Sequence, residues 1–212
     1  GVPSRLPPDN STSHIDVEDS VIWIGAGKGV GKSTDYGRSW TAYNSKTTPA
    51  FANDGIFAIA TAGGMTWVAT GYDKSISDGT VQTGSGYTFS ADAGATWTHV
   101  NQPIDQRGDS IISYGINDSL WLLPVVVPEQ NVTFDISLAP ASIWIASWAS
   151  GLRKSTDKGS MWERILLPAD NQSRLRPTDT LWTYAANDSL QLHRIYQHLD
   201  PRRNNNFLAF AV

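Results

Sequence analysis

Few stretches of this chain have residue types and spacings that could do chemistry. The most suggestive is A-G-K-G-V-G-K-S, from Ala26 to Ser33. It fits the loose form of a phosphate-binding loop, in which glycine-rich backbone cradles phosphates while Lys and Ser hold oxygens and Mg²⁺. Histidines stand singly at His14, His99, His193 and His198, with no H-x-x-x-H or H-E-x-x-H pair to hold a metal. There is no Cys, which removes thiol catalysis, disulfides and thiolate metal sites. The 16 Lys and Arg against 20 Asp and Glu leave a net charge of -4. The basic residues are scattered, so no nucleic-acid surface is expected.

A phosphate loop must be fed by a strand and must launch a helix, and the organisation of the chain speaks against the second. The segment I-W-I-G-A-G-K-G-V-G-K-S-T-D-Y-G-R-S-W from Ile22 recurs as I-W-I-A-S-W-A-S-G-L-R-K-S-T-D-K-G-S-M-W from Ile143. A third copy runs from W-V-A-T-G at Trp67, through a longer loop, to G-Y-T-F-S-A-D-A-G-A-T-W at Gly86–Trp97. Such self-similarity marks a repeat architecture. The later copy carries Arg153 where the phosphate loop needs Gly31, and no 3.6-residue apolar period follows Ser33. The repeat survives without the nucleotide site, so no nucleotide is expected and Lys32 is a bystander.

The shared segment, S-x-D-x-G-x-S/T-W, has a physical reading of its own. Asp accepts backbone N–H bonds from the residues just beyond it, and Gly two places later takes the positive φ of a tight turn. The Trp then opens the returning strand and buries its ring between layers. Three such clasps are expected: Ser33, Asp35, Gly37 and Trp40; Ser90, Asp92, Gly94 and Trp97; Ser155, Asp157, Gly159 and Trp162. In the third, Met161 replaces the hydroxyl residue before the Trp.

These segments resemble the Asp-box, or BNR, repeat of sialidase-like β-propellers, a class that includes sortilin-type receptors and several glycoside hydrolase families. The resemblance implies an all-β fold, a β-propeller of four-stranded antiparallel blades, each box joining the third and fourth strands. Strand-like runs bounded by Gly, Asn, Asp and Pro then place blades at about residues 13–43, 55–100 and 132–167 of a single partial domain over 1–212. The tail 206–212, N-F-L-A-F-A-V, reads as one strand of a fourth. Propellers close with roughly four to eight blades, so three blades plus one strand leave an incomplete ring. The remainder of a longer propeller chain, or other copies of this one, would complete it. An apolar terminal strand is a template for strand addition, and head-to-tail contacts of that kind give rings or filaments.

Long insertions are expected at 71–86 between strands and at 101–131 and 169–206 between blades. In an up-and-down blade these open on one face, opposite the box turns. Within them, hairpins with N-D turns are read at about 110–128 and 179–196. Tyr72, Trp121, Trp148, Trp182 and Tyr184 are the candidate binding-face aromatics, able to stack on sugars or fill a partner's pocket, with core packing the alternative for each.

A sialidase of the resembled class needs an arginine cluster, a Tyr with a Glu partner and an F/Y-R-I-P segment. Here S-R-L-P at Ser4–Pro7 lacks the aromatic, and no triad can be assigned among Arg107, Arg153, Arg164, Arg174, Arg176 and Arg194. A glycosidic cleft needs two carboxylates, and Asp73, Asp105, Asp109, Glu129 and Asp135 show no distinguishing spacing. The reading is therefore a non-catalytic extracellular binding or assembly module, self-associating through its C-terminal strand, with glycans as candidate ligands. The alternative is a fragment of a sialidase-like or other glycoside hydrolase. No cofactor or metal is expected, since no D-x-D-x-D-G loop is present. Asn-x-Ser/Thr acceptors at Asn10, Asn117, Asn131, Asn171 and Asn187 point to surface glycosylation of an extracellular or cell-surface protein. No apolar run approaches the roughly eighteen residues of a membrane span, so no membrane insertion is expected. The polar, Pro-rich opening lacks a signal-peptide pattern.

Overall fold

A computed structural model describes residues 11–109, 111–121, 124–166, 174 and 176–178. Every element among them is a strand, and no helix among them is long and apolar enough to cross a membrane. Strands β1 (Thr12–Glu18), β2 (Val21–Ala26), β3 (Gly29–Ser33) and β4 (Thr41–Tyr43) form the first sheet. Strands β5 (Gly55–Ala62), β6 (Met65–Ile76), β7 (Gly79–Ser90) and β8 (Thr98–Val100) form the second. A separate hairpin of β9 (Ile111–Tyr114) and β10 (Asn117–Trp121) lies in the connection to β11 (Thr133–Ala139), β12 (Ser142–Ser147), β13 (Gly151–Ser155) and β14 (Glu163–Arg164), the third sheet. The fold is all-β, with three four-stranded antiparallel propeller blades whose strands run in chain order. The described residues make an arc of the ring.

The core lies in the two seams between blades. The first holds Trp23, Val30 and Phe51 against Ile56, Ile59 and Val68. The second holds Ala60, Trp67 and Tyr87 against Ile136, Ile143 and Ile145. Apolar residues occupy both faces of the middle blade because both are covered, which is why its β6 reads as a continuous buried run from Thr66 to Gly71. The innermost strands β1, β5 and β11 lie side by side. Their registers match: Ile15, Ile59 and Ile136 pair with Ile24, Val68 and Ile145, and the next ladder pair in each blade puts Trp23, Trp67 and Trp144 on the second strand.

Two sequence expectations need correction. Residues 71–86 are not a loop: β6 and β7 stay paired out to Ile76 and Gly79 as a two-stranded ribbon beyond the blade. Both its faces are exposed, so it carries no core-facing apolar alternation to announce it. Its β7 edge gains a short third partner, where Gly84 N donates to Pro128 O at 3.0 Å and Gln130 N to Gln82 O at 2.7 Å. In the 110–128 hairpin the turn is Gly115–Ile116 rather than Asn117–Asp118, which open β10. Gly115 has φ of 59°, a conformation that glycine adopts without a Cβ clash. The hairpin expected at 179–196 and the strand at 206–212 lie outside the described residues.

Candidate functional site

Each clasp is built the same way. The Ser33 hydroxyl donates to Asp35 Oδ1 at 2.8 Å and accepts from Gly37 N at 2.8 Å, while Ser39 N and Oγ donate to the two Asp35 oxygens at 2.8 and 2.7 Å. Ser90, Asp92, Gly94 and Thr96 repeat this at 2.7, 2.7, 2.8 and 2.6 Å. In the third, Ser155 Oγ donates to Asp157 Oδ1 at 2.8 Å, Gly159 N to Ser155 Oγ at 2.8 Å and Met161 N to Asp157 Oδ1 at 2.9 Å. Met161 has no hydroxyl for the fourth bond. Hydrogen bonds from Ser39 hold the Asp35 carboxyl down at about 2, and those from Thr96 do the same for Asp92. Asp157 is lowered chiefly by the Met161 N–H. The turn takes two left-handed residues in succession: Tyr36, Ala93 and Lys158 at 55–58° precede Gly37, Gly94 and Gly159 at 80–91°. The first of these has no glycine signature, so sequence reading missed it.

The supposed phosphate loop is strand β3, paired with β2 on one side and β4 on the other, so its amides serve the ladder. The Lys32 ammonium lies 5.2 Å from the Trp23 ring centroid and donates to the Ala93 carbonyl of the second clasp.

Four of the five candidate catalytic carboxylates are engaged structurally, while Asp73 is exposed on the ribbon. Asp105 is buried between two guanidiniums, Arg153 Nη2 at 2.7 Å and Arg164 Nη2 at 3.0 Å, and accepts Val125 N at 2.6 Å. This ties the inter-blade connection to the third blade. Burial, then the neighbouring Arg153 charge, brings Arg164 down to about 10, which leaves it cationic at neutral pH. Glu129 pairs with Lys74 across the ribbon, and that hydrogen bond lowers its pKa. Asp109 accepts Gln106 N at 2.7 Å, and Asp135 accepts Ile136 N at 2.9 Å. Arg107, Arg174 and Arg176 are exposed, and Arg194 and the S-R-L-P segment lie outside the described residues. No group of three His, Cys, Asp or Glu among the described residues could hold a metal.

What the fold does assemble is aromatic. Each inner strand carries a register slip at its entry, between Thr12 and His14, Ile56 and Ala58, and Thr133 and Asp135. A bulge leaves one residue unpaired and re-aims its side chain; here these are Ser13, Phe57 and Phe134. Phe57 and Phe134 meet at 5.9 Å and 72°, and Trp148 meets Phe134 at 5.8 Å and 65°. All three rings are half-buried. A Cβ on Gly71, where the ribbon leaves the blade, would lie 2.8 Å from the Phe57 ring, so the row sits at the elaborated end with exposed Tyr72 next along the chain. Ser13 closes the row's other side, donating to Ile56 O at 3.0 Å. Burial lowers the His14 pKa, opposed by the Phe134 backbone and Asp135. Phe57 and Phe134 escaped sequence reading because a bulge leaves no residue-type signal.

Among the remaining sequence candidates, Asn131 needs correction. It is 0% exposed, its Nδ2 donating to Pro103 O at 3.1 Å and its Oδ1 accepting Ser150 N at 3.0 Å, so it is a structural amide and not a surface glycan acceptor. Asn117 and Trp121 lie on β10, with side chains not among those described. Asn10, Asn171, Asn187, Trp182 and Tyr184 lie outside the described residues.

The sequence matches no protein-family model and no curated protein. Among solved structures the chain is similar to an ancestral GH74 enzyme (20% identity, TM-score 0.49, 79% of this chain and 20% of that one). It is also similar to the extracellular domain of a hybrid two-component system from B. thetaiotaomicron (13%, TM-score 0.47, 76% and 17%). A third is YCF48 bound to a D1 peptide (15%, TM-score 0.42, 73% and 40%). The chain thus spans a fifth or less of the first two and two fifths of the third.

Proposed function

We propose that this chain is a non-catalytic Asp-box propeller module, extracellular or at the cell surface, that binds ligands at its elaborated end. The observation that carries this is the contrast at the site. Phe57, Phe134 and Trp148 form a half-open row of rings, while Asp105, Asp109, Glu129 and Asp135 are spent on structural bonds. Such a row stacks on the apolar face of a sugar or on another flat group, which supports glycans as the ligand class. The acceptor triplet at Asn117 supports the extracellular placement.

The test is a tryptophan-fluorescence titration with neutral and sialylated oligosaccharides, alongside an aryl-glycoside hydrolysis assay. Saturable quenching that is lost in Trp148→Ala and Phe134→Ala, without hydrolysis, is expected. Hydrolysis that falls when Asp73 or Glu129 is changed to Asn or Gln would replace this reading with the glycosidase one.

A further inference from the structure

The rings of the aromatic row form corners, and the ribbon leaves the blade beside one of them. Phe57 and Phe134 meet at 72°, and Phe134 and Trp148 at 65°, so the three do not make one flat platform. A sugar stacked on one ring of a corner turns its rim, where its substituents project, toward the neighbouring ring. The face of an aromatic ring carries partial negative charge, and the substituent it attracts is a cation.

The ribbon supplies the matching charge. Alternate residues of a strand share a face, and Gly71 faces Phe57, since a Cβ there would lie 2.8 Å from the ring. From Gly71 outward the ladder is regular, pairing Gly71 with Gly84, Tyr72 with Thr83 and Asp73 with Gln82. Asp73 therefore shares the face of Gly71, two residues and about 7 Å further from the blade. It is exposed. Among the described residues it enters none of the ion pairs, which join Lys74 to Glu129 and Asp105 to Arg153 and Arg164. Tyr72 and Lys74 alternate to the opposite face, where Glu129, bridged to Thr83, holds the lysine. The ribbon's lysine is thus turned away from the rings and neutralised, while the Asp73 carboxylate is turned toward them.

We propose that the sugar bound by the row carries an ammonium substituent, seated between the Phe57 ring and the Asp73 carboxylate while the sugar stacks on Phe134, so that the site selects cationic amino sugars. The inference rests on the glycan reading of the row and adds the charge of the ligand to it. The ribbon and its short third partner carry Asp73, Asp78 and Glu129 against Lys74, so the field around the corner favours a cation. A sialic acid carboxylate in the same place would meet a ring face and a second carboxylate, both repulsive. An uncharged acetamido group would gain from neither.

Titration calorimetry of the full chain tests it with two glucosamine trimers, one N-acetylated and one N-trimethylated, the latter charged at every pH. The trimethylated trimer is expected to bind about tenfold more tightly, the worth of a cation–π contact with a carboxylate beside it. That advantage should shrink in high salt. Asp73→Asn and Phe57→Leu should each cut it roughly threefold or more, with the acetylated trimer's affinity little changed. Asp73→Lys should reverse the preference, and its exposed position keeps the test open if circular dichroism shows that Phe57→Leu unfolds. Equal affinity for the two trimers overturns the charge preference and leaves the glycan reading standing, whereas binding of neither overturns both. An advantage that survives the Asp73 and Phe57 changes overturns this site. Choline competing as well as the trimethylated trimer overturns the sugar-borne cation in favour of a free one.

Discussion

Trp97 of the second clasp stands edge-on to Trp23 of the first blade, ring centroids 5.7 Å apart at 85°, and also meets Tyr43 at 5.2 Å and Phe51 at 5.1 Å. Trp40 occupies the equivalent box position, and its Nε1 donates to its own Gly37 carbonyl at 3.1 Å. Trp97→Ala should cost roughly 3 kcal/mol, the loss of a large ring from a packed seam. Trp40→Ala should cost about 1 kcal/mol, since less contact is removed. Urea unfolding followed by circular dichroism measures both, and equal losses would show that the seam does not govern the difference.

Met161 offers a gain. Ser39 and Thr96 each give their Asp a hydroxyl bond that Met161 cannot, and Met161 is solvent-exposed. Met161→Thr should add about 1 kcal/mol, the net worth of one hydrogen bond, read as a rise in the denaturant midpoint at constant slope.

The clasps set an acid limit. Folding lowers Asp35 and Asp92 from 3.8 to about 2, so between those values the unfolded chain binds more protons than the folded one. Their contribution is complete above pH 3.8 and is lost as pH falls toward 2. His14, lowered from 6.5 by burial, adds an earlier loss that begins as pH drops below 6.5. Melting temperature against pH should show both steps, with Asp35→Asn plus Asp92→Asn flattening the acid one and His14→Gln the other.

Asp105 sits between Arg153 and Arg164 with all three side chains buried. Asp105→Asn leaves two guanidiniums facing each other without a counter-charge and should cost roughly 3–5 kcal/mol. Replacing Asp105 and both arginines together by apolar residues should cost less than the single change. If the single change is harmless, the cluster does not hold the inter-blade connection.

The clasps, the three-blade pattern and the separation of an elaborated end from a clasp end were legible because each rests on a local requirement: an acceptor two residues from a turn glycine, then a ring. The ribbon beyond Gly71 was not, since strands exposed on both faces need no apolar period. Asn131 shows a second limit. Its triplet reads as a surface acceptor, yet burial depends on the distant Pro103 and Ser150 backbone. The Asp105 cluster likewise joins residues about fifty positions apart, and no spacing rule marks a pair that only blade packing brings together.

The inner-strand bulges recur at one register in all three blades, at the opposite end of the strand from the clasp. Substitutions at Ser13, Phe57 and Phe134 therefore change what the mouth of the ring presents while the knots that pin each blade go untouched. Side chains at these three positions can therefore vary one at a time without touching the hydrogen bonds that hold each turn closed.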